Sequence, residues 1–310
     1  MFKDSFKYYK SRDPPPDLDA VIDLKNPDLS KVRKISPVAI EEEQSSLGLR
    51  STEDWNIYEI IAKPGLIFIE NPFTSAGQRY WITRCVKDYS KKPNKTNLDL
   101  HQVLSENENW WDVCSDNVER AKVLLPKLRW ATLGYHHNWD TKVYSENFKG
   151  EMPDDMVDLT EYLARISGLC HFKAESAIIN YYRMNSTLSG HTDKSEIDYE
   201  APLFSVSFGQ TGIFLVGGLS LEDSADALLL RSGDVVVMSK GSRLRYHGVP
   251  KILQADSMPW KNQNSTNDCK SKKMCIDWDK IMSYISESRV NMNVRQVLRP
   301  GQVSLDDKVL

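Results

Sequence analysis

Residues 177–196, AIINYYRMNSTLSGHTDKSE, decide how the rest of the chain is read. An apolar, β-prone run from Ala177 leads through Gly190 into His191-Thr192-Asp193, so a potential metal-binding pair stands at the mouth of an expected strand. A His-x-Asp tripeptide arises easily by chance in 310 residues and alone carries little. Its i, i+2 spacing puts both side chains on the same side of an extended chain. The chemistry then needs a third ligand. Two imidazoles and one carboxylate on one face of an iron leave the remaining positions free for oxygen and a bidentate co-substrate. His247, in RLRYHGVP at the end of a β-prone segment, is the best third ligand. His101 lies in a polar segment, His136 and His137 in an aromatic run, and His171 just past a helix end. Taken alone, a histidine placed like His247 is more often a hydrogen-bonded strand residue than a ligand.

The terminal segment RVNMNVRQVL, residues 289–298, shifts that balance. Arg289, Asn291 and Arg295 are even steps apart, so on a strand they share one face, opposite Val290, Met292 and Val294. Two guanidiniums and an amide projecting into a sheet interior are costly unless anions meet them. Arginine forms fork-shaped pairs with carboxylates, so this face suits 2-oxoglutarate, whose other end would chelate the metal. Asn180 and Tyr182, also an even step apart, are placed to complete that pocket. The alternative, a solvent-facing edge strand, fits poorly with the apolar neighbours.

Around these segments the chain reads as three parts. Residues 1–50 form an N-terminal arm expected to pack on the body or to be partly mobile: MFKDSFKYYKSR places Phe2, Phe6 and Tyr9 on one helical face, and Pro14-Pro15-Pro16 ends that helix. Residues 51–150 form a helical extension with a lid. In it a strand at 65–69 precedes a helix, capped from Asn71-Pro72-Phe73-Thr74-Ser75, that runs through Tyr89, and another helix covers about 115–124. The run LRWATLGYHHNWD, residues 128–140, is too polar and aromatic for a plain core strand and suits either a platform for a flat ligand or a plug at the side of a sheet. Residues 151–310 form the core. A helix at 153–169 carries the stripe Met156, Leu159, Leu163, Ile166, and beyond it short strands with glycine turns indicate an antiparallel sandwich or double-sheet roll. Residues 254–277 read as a surface insertion, followed by a short helix at 278–287.

The net charge of −3 gives no global sign of a polyanion partner. Between Gly77 and Asn97, six basic residues interleave with Tyr80, Trp81 and Tyr89, a mixture that suits phosphate contact and base stacking but reads more simply as a solvated helix face over buried aromatics. Five cysteines, odd in number and irregularly spaced, argue against a disulfide framework. No apolar run is long enough to span a bilayer, so no membrane partner is expected.

The ordered pattern N-x-Y, H-x-D, H, R-x-N-x-x-x-R resembles the AlkB family of Fe(II)- and 2-oxoglutarate-dependent dioxygenases. It is carried by Asn180, Tyr182, His191, Asp193, His247, Arg289, Asn291 and Arg295. LRWATLGYHHNWD, NYYRMNSTL, SFGQTGIFLVGG and RVNMNVRQVL are similar to its eukaryotic AlkB homologue 1 branch, over most of the chain from about residue 60 onward. The resemblance implies an α+β fold: a double-stranded β-helix (jelly-roll) core with a helical N-terminal extension and a nucleotide-recognition lid. It implies Fe(II) held by the catalytic residues His191, Asp193 and His247, with 2-oxoglutarate and O2 as co-substrates. Arg289, helped by Tyr182, would pair with the distal carboxylate, Arg295 and Asn180 would lie near the chelating end, and Asn291 would share the pocket wall. Trp130, Tyr135 and His137 would contact the substrate nucleotide.

The implied activity is oxidative demethylation of a methylated base in tRNA or DNA with release of formaldehyde, 1-methyladenine in tRNA and N6-methyladenine in DNA being the candidate substrates. Oxidation of 5-methylcytosine in tRNA is an alternative. So is an abasic-site lyase using a lysine among residues 87–95, and a non-catalytic RNA-binding module is a third class. An unpaired or looped base, a monomer, and an intracellular location in mitochondrion, nucleus or cytoplasm are the further expectations.

Overall fold

The computed structural model describes residues 1–40, 45–261 and 272–307. Before the core come α1 (Phe2–Lys10), β1 (Val32–Ile35), β2 (Asn56–Ile60), β3 (Leu66–Glu70), α2 (Ser75–Thr83), β4 (Lys95–Thr96), α3 (Asn97–Leu100), α4 (Trp110–Asp116), α5 (Val118–Leu124) and β5 (Trp130–Gly134). Then follow α6 (Asp154–Ile166), β6 (Ser176–Arg183), β7 (Leu188–His191), β8 (Leu203–Gly209), β9 (Thr211–Val216), β10 (Asp226–Leu230), β11 (Val235–Met238), β12 (His247–Leu253), α7 (Lys272–Ile285) and β13 (Ser288–Arg295). Two antiparallel sheets result. The larger has the order β1-β2-β3-β11-β8-β13-β6-β5-β4 and the smaller β10-β9-β12-β7.

The alternation in β13 explains the layering. Val290, Met292 and Val294 belong to a core shared with Trp110 of α4, Trp81 of α2 and Met156, Leu159 and Leu163 of α6, so helices cover that face of the large sheet. The other face meets the small sheet through Leu203, Val236 and Met238 on one side and Phe214, Val216, Leu228 and Val249 on the other. The polar residues of β13 therefore enter the space between the sheets.

Two expectations are corrected here. Residue 151 is no boundary of the sheet: β1, β2 and β3 join its edge through β11, because the buried Ile67, Phe68 and Ile69 need both faces covered. Residues 254–277 are not simply surface: Trp260 is fully buried in the helix-side core, and α7 starts at Lys272. Positions 262–271 of that segment, Cys269 among them, lie outside the described residues, as do the side chain of Cys275 and positions 41–44 of the polar run EEEQSS. The described cysteines Cys85, Cys114 and Cys170 are free.

The helix after Thr74 is capped as expected, the threonine hydroxyl accepting from Gly77 N at 3.0 Å, but its last stretch, Arg84–Asp88, is a π-helical turn. Trp81 and Tyr89 are buried, and Arg84, Lys87 and Lys91 are bound to Asp155, Asp277 and Asp112. Lys92 donates to the carbonyls of Ser105 and Glu106. The basic-aromatic segment is thus a structural face, and these lysines are committed within it. The arm packs as expected. The ring of Phe2 lies against Gly190 of β7 and Gly217, where a Cβ would come within 2.4 and 2.8 Å of it. Only glycine permits that approach beside His191.

Candidate active site between the sheets

His191 and His247 are direct cross-strand partners at the ends of β7 and β12, with ring centroids 4.4 Å apart. Asp193 follows β7 by two residues. Its Oδ1 lies 3.7 Å from His191 Nε2 and its Oδ2 3.5 Å from His247 Nε2. Each Nδ1 faces a backbone carbonyl, His191 to Ser189 O at 2.9 Å and His247 to Arg245 O at 3.1 Å. A carbonyl only accepts, so Nδ1 carries the hydrogen and the lone pair of the neutral ring is on Nε2. The Nε2–carboxylate distances are too long for hydrogen bonds. The three ligand atoms, two imidazole nitrogens and a carboxylate oxygen, fall within 4.8 Å of one another. That donor set suits a divalent transition metal with open positions. Burial first, then His247, pushes the His191 imidazole down to about 4, so it is neutral at physiological pH. Carbonyl-oriented imidazoles are the usual support of a metal centre.

Arg289 rises from β13 into the same cavity, a space of about 720 Å³ between the sheets that also takes in Asn180, Tyr182, Asn291 and Arg295. Only 2% exposed, it donates to Leu230 O at 3.0 Å, Gln210 O at 3.3 Å and Ser207 Oγ at 2.6 Å, while its Nε has no partner among the described residues. Burial lowers its pKa to about 10, so it remains a cation at neutral pH with no carboxylate paired to it among the described residues. Gly212 of β9 makes room: a Cβ there would stand 3.0 Å from Arg289 Nε. A buried, charged, unpaired guanidinium sharing a cavity with three metal-ligand atoms fits Fe(II) and a dicarboxylate spanning the two.

Arg295, expected near the chelating end of the co-substrate, lines the same cavity beside the ligand set and is also held by the protein. Its Nη2 binds Asp193 Oδ1 at 2.9 Å and its Nη1 binds Glu196 Oε1 at 3.0 Å. Glu196 also accepts from Tyr144 Oη at 3.0 Å and Arg243 Nη2 at 2.9 Å, and Arg243 Nη1 donates to Asp193 O at 2.6 Å. Burial pushes the Asp193 carboxyl up, but Arg295 and the two imidazoles outweigh it and hold the group well below the usual carboxylate range. Asn291 Nδ2 donates to Ser205 Oγ at 2.7 Å, and Asn293, further along the same face, donates to Asp193 Oδ2 at 3.3 Å.

The aromatic run is split. His137 and Trp139 line the cavity, the imidazole Nε2 lying 2.9 Å from Ser195 Oγ. Trp130 does not line it but packs against Trp139, ring centroids 5.0 Å apart and planes tilted by 38°. Tyr135 is a correction: it is fully buried beside Tyr144, Val297 and Leu298, its hydroxyl tied to Glu146 and Lys149. One residue past β5 it points to the opposite side from His136, into a small satellite core. Sequence reasoning reached Trp139 only as part of the aromatic run and missed Asn293, Glu196, Arg243 and the glycine at 212. Asn293 was findable, being on the even-step face of β13; Glu196 and Arg243 gave no local signal, since their partners are far along the chain.

The chain matches the profile of the 2OG-Fe(II) oxygenase superfamily over residues 65–295. It is 38% identical over 330 residues to the nucleic acid dioxygenase ALKBH1 of Mus musculus, covering 97% of this chain and 85% of that protein. It is 33% identical over 323 residues to the tRNA demethylase abh1 of Schizosaccharomyces pombe, covering 97% of each. The DNA N(6)-methyladenine demethylase ALKBH1A of Arabidopsis thaliana is 31% identical over 273 residues, 78% of this chain and 77% of its own.

Proposed function

The chain belongs to the 2OG-Fe(II) oxygenase superfamily, in the ALKBH1 branch of the AlkB family, and from that premise we propose that it demethylates a methylated base of a nucleic acid. It is an Fe(II)- and 2-oxoglutarate-dependent dioxygenase. The observation that carries the reading is the unpaired Arg289 guanidinium facing the His191, Asp193, His247 set across a cavity walled by His137 and Trp139. His191, Asp193 and His247 would hold the iron, and Arg289 the distal carboxylate of 2-oxoglutarate. Bound together, metal and co-substrate supply the oxidising power, O2 being consumed and 2-oxoglutarate decarboxylated to succinate as a methyl C–H is hydroxylated. A hydroxymethyl group on a base nitrogen then loses formaldehyde and leaves the unmodified base.

The chain's own residues position and shield this chemistry. Arg295 and Asn293 fix the carboxylate of Asp193, and the carbonyls of Ser189 and Arg245 fix the two imidazoles. Trp139, backed by Trp130, gives a flat surface for the base. An unpaired or looped base is the substrate form we infer, because a stacked one cannot reach a cavity between sheets without being flipped out. Nucleoside mass spectrometry after incubation of methylated oligonucleotides with the protein, Fe(II) and 2-oxoglutarate tests this. Succinate, formaldehyde and restored base should appear in equal amounts and vanish in His191→Ala. Succinate formation with no base altered would overturn the substrate class, and no succinate in any condition would overturn the enzyme assignment at this site.

A further inference from the structure

Three acceptors hold the Arg289 guanidinium: the carbonyls of Leu230 and Gln210 and the hydroxyl of Ser207. All three are anchored around one turn, residues 231–234, which joins β10 to β11. Leu230 is the residue before that turn. Gly233 N donates to Ser207 O at 2.6 Å and Ser207 N donates to Asp234 O at 3.0 Å, so the turn grips Ser207 by both of its backbone groups. Gly209, next to Gln210, donates from its N to Ser232 Oγ at 3.0 Å. The Asp234 side chain closes the turn, accepting from Arg231 N at 2.6 Å and from Asn71 N at 3.1 Å.

The N-terminal arm reaches this turn from outside. Ile22 runs parallel to β10, its N donating to Ala227 O at 2.8 Å and its O accepting from Leu229 N at 3.0 Å. Ile22 and Leu24 enter the core between the sheets, which turns Asp23 the other way. There its carboxylate takes both Nη atoms of Arg231, the first residue of the turn, at 2.6 and 2.8 Å in a two-point fork. The pair is largely sheltered, the side chains being 12% exposed for Arg231 and 28% for Asp23. Hydrogen bonding from the guanidinium holds the Asp23 carboxyl below its ordinary value. Asp256 stands 3.6 Å from Arg231 Nε, too long for a hydrogen bond, and is 69% exposed, so it is no substitute for Asp23.

We propose that Asp23 is a positioning residue for the co-substrate: through its fork with Arg231 it fixes the turn that holds the Leu230 and Ser207 acceptors, and so the direction in which Arg289 presents its guanidinium. This role presupposes that Arg289 receives the distal carboxylate, as read above, and adds to that reading a control exerted by the arm. A two-point pair between guanidinium and carboxylate tolerates little rotation, so a turn without its outer tie lowers affinity at Arg289. The metal ligands stand on β7 and β12, away from the turn, and are left as they are.

Calorimetry on the Mn(II)-loaded full chain tests this with two probes, 2-oxoglutarate and 2-oxobutyrate, the second of which keeps the 2-oxo acid end and lacks the distal carboxylate. Asp23→Asn should weaken 2-oxoglutarate about tenfold, while affinity for Mn(II) and for 2-oxobutyrate stays within about twofold of the parent. Asp23→Glu should restore most of the loss and Arg231→Gln should reproduce it. The double variant Asp23→Asn, Arg231→Gln should lose no more than either single one. A merely structural role would weaken both probes together, and that result, or additive losses in the double variant, overturns the assignment. Equal 2-oxoglutarate affinity in parent and Asp23→Asn overturns it as well and leaves the reading of Arg289 standing. If the parent binds 2-oxoglutarate no better than 2-oxobutyrate, Arg289 does not receive the distal carboxylate, and that reading falls together with the role of Asp23.

Discussion

Arg289 and Arg295 share one face of one strand and have opposite energetics, because one meets only carbonyls and a hydroxyl and the other meets two carboxylates. Arg289→Met removes the counter-ion for a ligand and no ion pair of the protein. We expect 2-oxoglutarate binding, read by calorimetry on the Mn(II)-loaded protein, to weaken about a hundredfold, with the ligand-free melting temperature near that of the parent. Arg295→Met instead leaves Asp193 a buried carboxylate without its cation and Glu196 with Arg243 alone, and should cost about 3–5 kcal/mol of stability in urea titration. Equal loss of stability in the two variants would refute this division.

Acid sensitivity has two opposing sources at the same scale. The folded-state pKa of His137 is about 4, below that of a solvated imidazole, so on acidification the unfolded chain takes up a proton the folded chain refuses, and stability falls as the pH drops through about 6.5 towards 4. Burial lifts Asp234 to about 7, so the folded chain keeps a proton that the unfolded chain releases, and that contribution is lost as the pH rises from about 4 to 7. Asp234→Asn removes the second, so its melting temperature should climb more steeply with pH between 5 and 6.5 than that of the parent. A flatter profile would count against it.

Elements were legible where the signal is local. The stripe of α6, the threonine cap of α2 and the alternation of β13 follow from periodicity and capping chemistry within a few residues. The face of β13 that carries Arg289, Asn291 and Arg295 could be read before any partner was known, because a strand has only two faces. Which anion each arginine meets could not, since Glu196 lies 99 residues from Arg295. Likewise Tyr135 and His137 look equivalent in an aromatic run, and the turn after β5 alone decides that one fills a satellite core and the other the cavity. The arm shows the same limit: its apolar face is visible in Phe2 and Tyr9, whereas its seat on Gly190, next to a proposed ligand, is not. Gly190→Ala should displace α1, yet be much milder in a Phe2→Ala background, where the clashing ring is gone. A double-mutant cycle by urea unfolding should give a coupling of about 1 kcal/mol or more, and additive effects would show that the ring does not bear on β7.

At the scale of the molecule, the proposed ligands divide between the sheets. His191 and His247 end β7 and β12 of the small sheet and Asp193 follows directly, while Arg289 and Asn291 stand on β13 in the middle of the large one. A metal alone would tie together only one side of the cavity. A dicarboxylate reaching from the metal to Arg289 would fasten the sheets to each other, and ligand binding to the folded state alone stabilises it by about 2.7 kcal/mol at a hundred times Kd. The rise in melting temperature caused by 2-oxoglutarate should therefore be large in the presence of Mn(II) and small in its absence, exceeding the sum of the separate shifts. Arg289→Met should abolish that excess while keeping the shift due to Mn(II) alone, whereas Asp193→Ala should remove both. Additive shifts in the parent protein, or an excess surviving in Arg289→Met, would mean that the co-substrate is not held between the two sheets in the way the unpaired guanidinium implies.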